Sequence, residues 1–461
     1  MVATRRSWVR VGAILASVPL LLAGCASVRR IRIQGTVLAG QQAQGNLQVY
    51  LVSPEGKRST TVTDANGTFQ FEATAAPSKQ YVLLAKKQGF DYAFEQITVP
   101  GHLELGFLTA DLKLQPPRMA YDPVSFQSEP ETVEVFYGTD RAPTGKTSPS
   151  DYYANAASEE GRVSLGICKV SLPPGHRIGR IEEPVLPEWV IKPDPKKHFV
   201  VVGLEPLGTD EFYGKLAARV ALSDRKDAFV FVHGYSESFK DAVLRTAQLR
   251  SDLRFKGAAV LFSWPSSGGI MPYTSDEEMV QATVPHLEAF LQEIVARSGA
   301  TKIHLIAHSM GSRALVNALN YIAGLDRLHS STGQGETVVH RFQQIILASP
   351  DINEQVVRNV SRAIKENGDR ITLYTSRSDW ILWLSSKVHW GVSRAGRDLL
   401  VLPGIDTVDF TPVDGHSCFA DNSWVVNDIV RLLNDGAPPD QRFPLKKMTL
   451  GSLIYWLLQP N

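Results

Sequence analysis

Hydrophobic and polar positions change rhythm repeatedly along this chain. Residues 11–23 form an apolar stretch behind the basic positions Arg5, Arg6 and Arg10. From 31 to 114 the apolar residues come in short runs at 31–37, 47–52, 59–62, 68–71, 81–85 and 96–99, separated by turn residues. Runs of that length predict strands, and strands without intervening helices predict a small all-β sandwich. Asp64, Asn66 and Gly67 between two of the runs predict a hairpin, because Asn and Gly tolerate positive φ. Residues 115–130 carry Pro116, Pro117, Pro123 and Pro130 and predict a semi-rigid linker.

Beyond 131 the rhythm alternates between strand and helix. Strands are predicted from Val133, from Cys168 and at 228–232, 258–262, 303–308, 344–348, 370–375 and 407–410. Ala228, Phe229, Val230, Phe231 and Val232 are continuously apolar, as expected for a strand covered on both faces. Phe239, Ala242, Val243, Leu249 and Leu253 share one face of a helix, and another helix is predicted over 280–296. This alternation predicts a doubly wound, mostly parallel sheet over 131–461 with helices on both faces. The closing apolar segment 450–458, with Tyr455 and Trp456, is expected to cap the core rather than meet a membrane.

A chain of 461 residues, 43% hydrophobic and 21% charged, has room for two or three domains and no sign of disorder or multiple membrane spans. The apolar stretch 11–23 is too short to cross a bilayer and reads as the core of a secretion signal. Leu22-Ala23-Gly24-Cys25 resembles a bacterial lipobox, which implies removal of residues 1–24, lipidation of Cys25 and a short tether over 25–30. Thr4-Arg5-Arg6-Ser7-Trp8-Val9-Arg10 also resembles a twin-arginine export signal. Ala26 stands where an inner-membrane retention signal would place Asp, so the expected location is the outer membrane, facing the periplasm. Loss of residues 1–24 leaves 45 basic against 47 acidic residues, a net charge of −2, and nucleic acid is not an expected partner. With Cys25 lipidated, Cys168 and Cys418 either pair in an oxidising compartment or stay as separate buried thiols.

The most specific chemical signal is Ile303-His304-Leu305-Ile306-Ala307-His308-Ser309-Met310-Gly311-Ser312. A buried strand runs into a turn of small residues and then a helix, with Ala307-x-Ser309-x-Gly311 as a variant of the nucleophile elbow. Serine needs a base within hydrogen-bond reach and an acid to orient that base, in the chain order Ser, acid, His. His416, in Val413-Asp414-Gly415-His416-Ser417 after the strand at 407–410, is the candidate base. His329 in a polar loop, His340 before a strand, and His389 among Trp383 and Trp390 in an expected packing segment are weaker candidates; His308 is expected to pack. For the acid, Asp379 follows the strand at 370–375 and comes first, Asp351 after 344–348 is the alternative, and Asp414 reads as a turn residue. Backbone N–H groups of Tyr235, after His233-Gly234, and of Met310 are the expected oxyanion donors. This chemistry requires no metal and no cofactor. Residues 264–282, including Pro265-Ser266-Ser267-Gly268-Gly269 and then Met271, Pro272 and Tyr273, are expected to form a flexible rim, either a lid or a plain surface loop.

Two resemblances extend this reading. Gly35-Thr36-Val37, Val49-Tyr50-Leu51, Thr63-Asp64, Asn66-Gly67 and the run from Tyr81 resemble the carboxypeptidase regulatory-like domains, over 31–114. That likeness implies an accessory module able to hold an envelope protein or polymer; turn chemistry accounts for Asp64 and Asn66 without a metal. Phe136-Tyr137-Gly138-Thr139-Asp140-Arg141, Phe231-Val232-His233-Gly234-Tyr235, Phe262-Ser263-Trp264-Pro265-Ser266, Ala307-His308-Ser309-Met310-Gly311 and Ala348-Ser349-Pro350-Asp351 resemble the bacterial α/β hydrolases of undetermined function. That second likeness implies the α/β-hydrolase fold and a triad but no substrate. The expected activity is ester or thioester hydrolysis on a small-molecule or lipid substrate, with a peptidase or a catalytically silent scaffold as alternatives.

Overall fold

The computed structural model describes residues 29–39, 41–53, 58–75, 80–85, 93–99, 107–114, 129–184, 192–266, 273–331, 341–413 and 416–459. The expected signal over 1–24, lipidated Cys25, most of the linker over 115–130, the rim residues 267–272, His340 and Asp414 lie outside them. Contacts divide the chain into one unit ending at Pro117 and a second beginning at Arg118.

The first unit is β-rich. β1 (Arg29–Ala39) pairs with β2 (Gln42–Ala43) and, later in the chain, with β5 (Thr68–Ala75), β8 (Phe107–Thr109) and β9 (Leu112–Leu114). A second sheet runs in the order β4 (Arg58–Val62), β3 (Gln48–Val52), β6 (Gln80–Ala85), β7 (Ala93–Thr98). Alternate residues of both sheets, among them Ile31, Ile33, Val49, Leu51, Phe69, Phe71 and Leu83, meet in one core. The turn at 63–67 is not the expected hairpin. Its flanking strands β4 and β5 belong to different sheets, so the turn carries the chain from one sheet to the other. Its local chemistry is as read: Asp64 Oδ1 accepts the N–H groups of Asn66 and Thr68 at 2.9 Å, and Gly67 takes φ +75°. Turn residues determine the bend, whereas burial of each strand's apolar face selects its partner.

The second unit is built on an eleven-stranded sheet. Its parallel centre runs β10 (Glu131–Thr139), β16 (Ala258–Ser263), β15 (Asp227–Val232), β17 (Lys302–His308), β18 (Phe342–Ala348), β19 (Gly368–Thr375), β20 (Asp406–Asp409) and β22 (Leu453–Leu458). Antiparallel strands β13 (Ser164–Leu172) and β14 (Val200–Leu207) extend one edge, and β21 (Leu445–Leu450) closes the other. A separate ribbon pairs β11 (Arg141–Pro143) with β12 (Tyr153–Ala157). The segment expected to cap the core is therefore a strand of the sheet, β22, which lies between β20 and the edge strand β21, so β20 is not the last strand.

The period-two alternation of strand side chains sorts the continuous apolar runs into two cores. Ala228, Val230 and Val232 of β15 face one core with helices α1 (Thr209–Ala221), α4 (Val284–Arg297), α5 (Gly311–Ser331) and α6 (Glu354–Asn367). Phe229 and Phe231 face the other, with α2 (Phe239–Asp252) and α9 (Ser423–Asp435). Each fully buried Val or Phe side chain contributes about 1.5–3 kcal/mol of transfer free energy. The helix expected over 280–296 is two, α3 (Tyr273–Ala282) and α4, divided at Thr283 just before Pro285. α7 (Trp380–Val388) and the short α8 (Cys418–Asp421) complete the set of α-helices among the described residues. Cys168 is a free, buried thiol in β13, and burial holds it protonated far above its ordinary pKa.

The register brings the carboxyl ends of the central strands level. Val232 lies opposite both Phe262 and Ala307, His308 opposite Ala348, Ala348 opposite Tyr374, and Thr375 opposite Asp409. Loops leaving these ends converge on one rim, where doubly wound sheets place their ligands.

Candidate active site

Ser309 sits between β17 and α5 with φ +50°, a left-handed conformation that costs a non-glycine residue about 1–3 kcal/mol. The surroundings hold it there. Its N–H donates to Ala348 O at 2.9 Å, and its own carbonyl accepts the N–H of Asp351 at 3.1 Å. Gly311 shows why the elbow needs small residues: a Cβ there would lie 2.1 Å from His233 O and 2.8 Å from Val232 O, both backbone atoms.

His416 and Asp379 meet Ser309 in a line. His416 Nε2 is 2.9 Å from Ser309 Oγ, and His416 Nδ1 is 2.7 Å from Asp379 Oδ2. Asp379 is fully buried and uses its other oxygen, Oδ1, to accept the Leu382 N–H at 2.9 Å as the N-cap of α7. Both carboxylate oxygens are thus engaged, one by a helix N-terminus that favours negative charge. Burial opposes a charge on the His416 ring, but the charge and hydrogen bond of Asp379 outweigh it and raise its pKa above the ordinary imidazole value. The alternative acid, Asp351, is turned elsewhere: its Oδ1 accepts Ser385 Oγ at 2.6 Å and lies 3.5 Å from both Arg394 Nε and Arg313 Nη2.

The expected oxyanion donors flank Ser309. Met310 is buried immediately before α5, and a Cβ built on Gly234 would fall 3.2 Å from Ser309 Cβ and 2.8 Å from His308 Nδ1. The His233-Gly234 turn therefore passes directly against the serine, with Tyr235 next in the chain.

Several residues take places that the sequence did not indicate. His308 does more than pack: its Nε2 lies 3.2 Å from His416 O and its Nδ1 3.8 Å from Glu237 Oε1, bridging the turn at 233–237 and the loop that carries His416. Trp264, expected on a flexible rim, is fully buried; its ring stacks on His233 at 5.2 Å and its Nε1 donates to His233 O at 2.9 Å. Ser266 is buried too, donating to Asp276 Oδ2 at 2.7 Å. His329 lies in α5 rather than in a loop. His389 lies 2.6 Å from Glu277 and 2.7 Å from Ser385 O, while Trp390, expected to pack, is 98% exposed. A cavity of about 280 Å³ opens beside Asp351, with Arg313, Arg394, His389, Glu277 and Ile352 in its wall. Arg141, part of the 136–141 motif, is fully buried against the 233–237 turn. The charged pair Asp140-Arg141 at the end of the buried strand β10 was the signal that could have singled it out. Among the described residues, no group of three or more His, Cys, Asp or Glu side chains is arranged to hold a metal ion, and no helix is long and apolar enough to cross a membrane.

Comparison with known proteins gives the site a setting. An uncharacterized protein of Nostoc sp. is 25% identical over 178 residues, which is 38% of this chain and 44% of that protein. The chain thus spans less than half the length of this curated relative. Among solved structures, an esterase B from Lactobacillus rhamnosis with a bound phosphonate is 14% identical at a TM-score of 0.22, over 36% of this chain and 59% of its own. A chlorocatechol 1,2-dioxygenase from Pseudomonas putida is 14% identical at a TM-score of 0.17, over 19% of this chain and 61% of its own. Scores this low give neither likeness any weight. Residues 209–434, from α1 to the end of α9, match the family described as alpha/beta hydrolase of unknown function (DUF900). The domain that carries Ser309, His416 and Asp379 is therefore similar to alpha/beta hydrolases whose function is unknown.

Proposed function

We propose that the chain is a lipid-anchored envelope serine hydrolase that cleaves carboxylic esters or thioesters through an acyl-enzyme. The observation that carries this reading is the unbroken line from Ser309 Oγ through the His416 ring to Asp379, at 2.9 and 2.7 Å. Ser309 Oγ attacks the substrate carbonyl while its proton passes to His416 Nε2. Asp379 holds the tautomer with the proton on Nδ1 and stabilises the imidazolium that forms. The N–H groups of Met310 and Tyr235 receive the negative charge that develops on the carbonyl oxygen. Collapse expels the alcohol or thiol, which takes the proton back from His416. Water then repeats the sequence on the acyl-Ser309 ester and releases the acid.

Cys25, carrying acyl chains, would hold this domain at the outer membrane with its rim in the periplasm, and multiple chains anchor far more firmly than one. The β-rich first unit, a β-sandwich of the carboxypeptidase regulatory-like kind, would serve as the accessory module that engages an envelope protein or polymer. The test is turnover of p-nitrophenyl butyrate by the full chain and by Ser309→Ala. Activity confined to the unsubstituted protein supports the reading, and equal activity in both overturns it. For the anchor, Cys25→Ser should release the protein from the membrane fraction; unchanged sedimentation would remove lipidation from the account.

A further inference from the structure

Arg141 is fully buried, and the hydrogen bonds it makes run to neutral oxygens. Nε donates to Ser263 Oγ at 2.9 Å. Nη1 donates to Ser266 O at 3.1 Å, Asn155 Oδ1 at 3.1 Å and Ala154 O at 3.3 Å. Nη2 donates to Glu237 O at 2.8 Å and lies 3.4 Å from His233 Nε2. One planar fork thereby ties three segments that are remote in sequence: the end of β16, strand β12, and the turn at 233–237. Burying a cation is expensive, and a fold keeps one only where its donors are well used. Burial lowers the Arg141 pKa to about 10, which still leaves it charged at neutral pH.

The same fork acts on His233. Ser263 Oγ, occupied as an acceptor by Arg141, lies 3.3 Å from His233 Nε2 and directs its proton there. That leaves the His233 proton on Nδ1, which donates to Gly234 O at 2.9 Å. Burial, with the charge of Arg141 beside it, lowers the pKa of His233 to about 4 and keeps the ring neutral. Both ends of the turn are consequently fixed, Gly234 O by His233 and Glu237 O by Arg141, with Ser236 between them at φ +61°. The N–H of Tyr235 belongs to this clamped turn. An oxyanion donor helps only when it points at the place the charge will occupy, at about 2.7–3.1 Å.

We infer that Arg141 is a positioning residue that holds the Tyr235 N–H in register with the developing oxyanion, a role that rests on the acyl-transfer reading of Ser309. Its effect is confined to the transition state, so kcat should respond and KM should not. The experiment compares full-length wild type, Arg141→Lys and Ser309→Ala on p-nitrophenyl butyrate and on the matching thionoester. Lysine keeps the buried charge but cannot span three segments. Arg141→Lys should lose about 100-fold in kcat with KM changed less than about threefold, the scale of one lost oxyanion donor. Its oxo-to-thiono rate ratio should also fall, because sulfur accepts hydrogen bonds poorly and gains little from a well-aimed donor. If Arg141→Lys does not fold, Ser263→Ala leaves the cation in place, removes the relay to His233 and should lower the same ratio by a smaller factor. An unchanged ratio in a folded variant, or a loss carried by KM, overturns the inference. Activity surviving in Ser309→Ala would instead overturn the reading beneath it.

Discussion

Asp379 reaches the His416 ring at 2.7 Å while capping α7 with its second oxygen, so one buried carboxylate both ends a loop and orients an imidazole. Asp351 lies one strand nearer to Ser309 but is committed to Ser385, Arg394 and Arg313. The two aspartates should therefore separate cleanly. Asp379→Asn should lower kcat by about 10⁴-fold, the loss an amide causes in a serine-protease triad by favouring the wrong tautomer. Asp351→Asn should leave kcat within about tenfold and lower stability by about 1–3 kcal/mol, because it weakens the partners of a buried arginine. Steady-state kinetics and denaturant unfolding of both variants check this.

The pH dependence follows from the same contact. His416 must be neutral to accept the Ser309 proton, and Asp379, with smaller contributions from Asp351 and Glu237, raises its pKa against the opposing effect of burial. The acid limb of kcat/KM should accordingly fall above pH 6.5, the ordinary imidazole value. Removing the Asp379 charge should move the limb to lower pH in the residual activity of Asp379→Asn. A limb that stays put in that variant would mean that another group controls it.

Two glycines of α5 should respond in opposite directions. At Gly311 an added methyl meets backbone at 2.1 Å, so Gly311→Ala should destabilise by about 1–3 kcal/mol or more and abolish turnover. At Gly324 nothing lies within 4 Å of a built Cβ, so Gly324→Ala should stabilise by about 1 kcal/mol with activity intact. Thermal melts of the two variants decide.

His176 predicts an alkaline loss of stability. It is buried against Phe199, with its ring nitrogens 2.9 Å from Glu182 and 2.9 Å from Asp252. Burial disfavours its charge, but the two carboxylates prevail and raise its pKa to about 9. Since the folded value exceeds the unfolded one, the stabilisation is full below about pH 6.5 and is lost as pH rises through 9. Unfolding free energies measured from pH 6 to 10 should decline over that window, and His176→Gln should flatten the decline.

Much of this was legible in the chain. The apolar runs of β15, β16 and β17 announced buried parallel strands, and the Ala307-x-Ser309-x-Gly311 spacing announced a turn whose small residues the carbonyls of Val232 and His233 demand. Ser309, His416 and two candidate acids, Asp379 first and Asp351 as the alternative, were legible as strand-end residues, because a doubly wound sheet gathers them on one rim. What escaped depends on partners distant in sequence. The 63–67 turn reveals a bend but not which sheet receives the next strand. Trp264 looked like a rim residue because its neighbours are turn formers, yet His233 gives its ring a surface and its N–H an acceptor. β21 mixes apolar and polar residues, and β22, though apolar throughout, carries no local sign that its partner is β20. Arg141 finds its oxygens 13 to 125 positions away in sequence, on three separate segments, and no local pattern encodes such a meeting.

The most direct test of the central claim is mass spectrometry of the intact protein after exposure to a fluorophosphonate, followed by peptide mapping. One adduct is expected, on Ser309, absent in Ser309→Ala and formed at least about 100-fold more slowly in His416→Gln. An unlabelled Ser309 in the folded wild-type protein, or labelling undiminished by loss of His416, would contradict it.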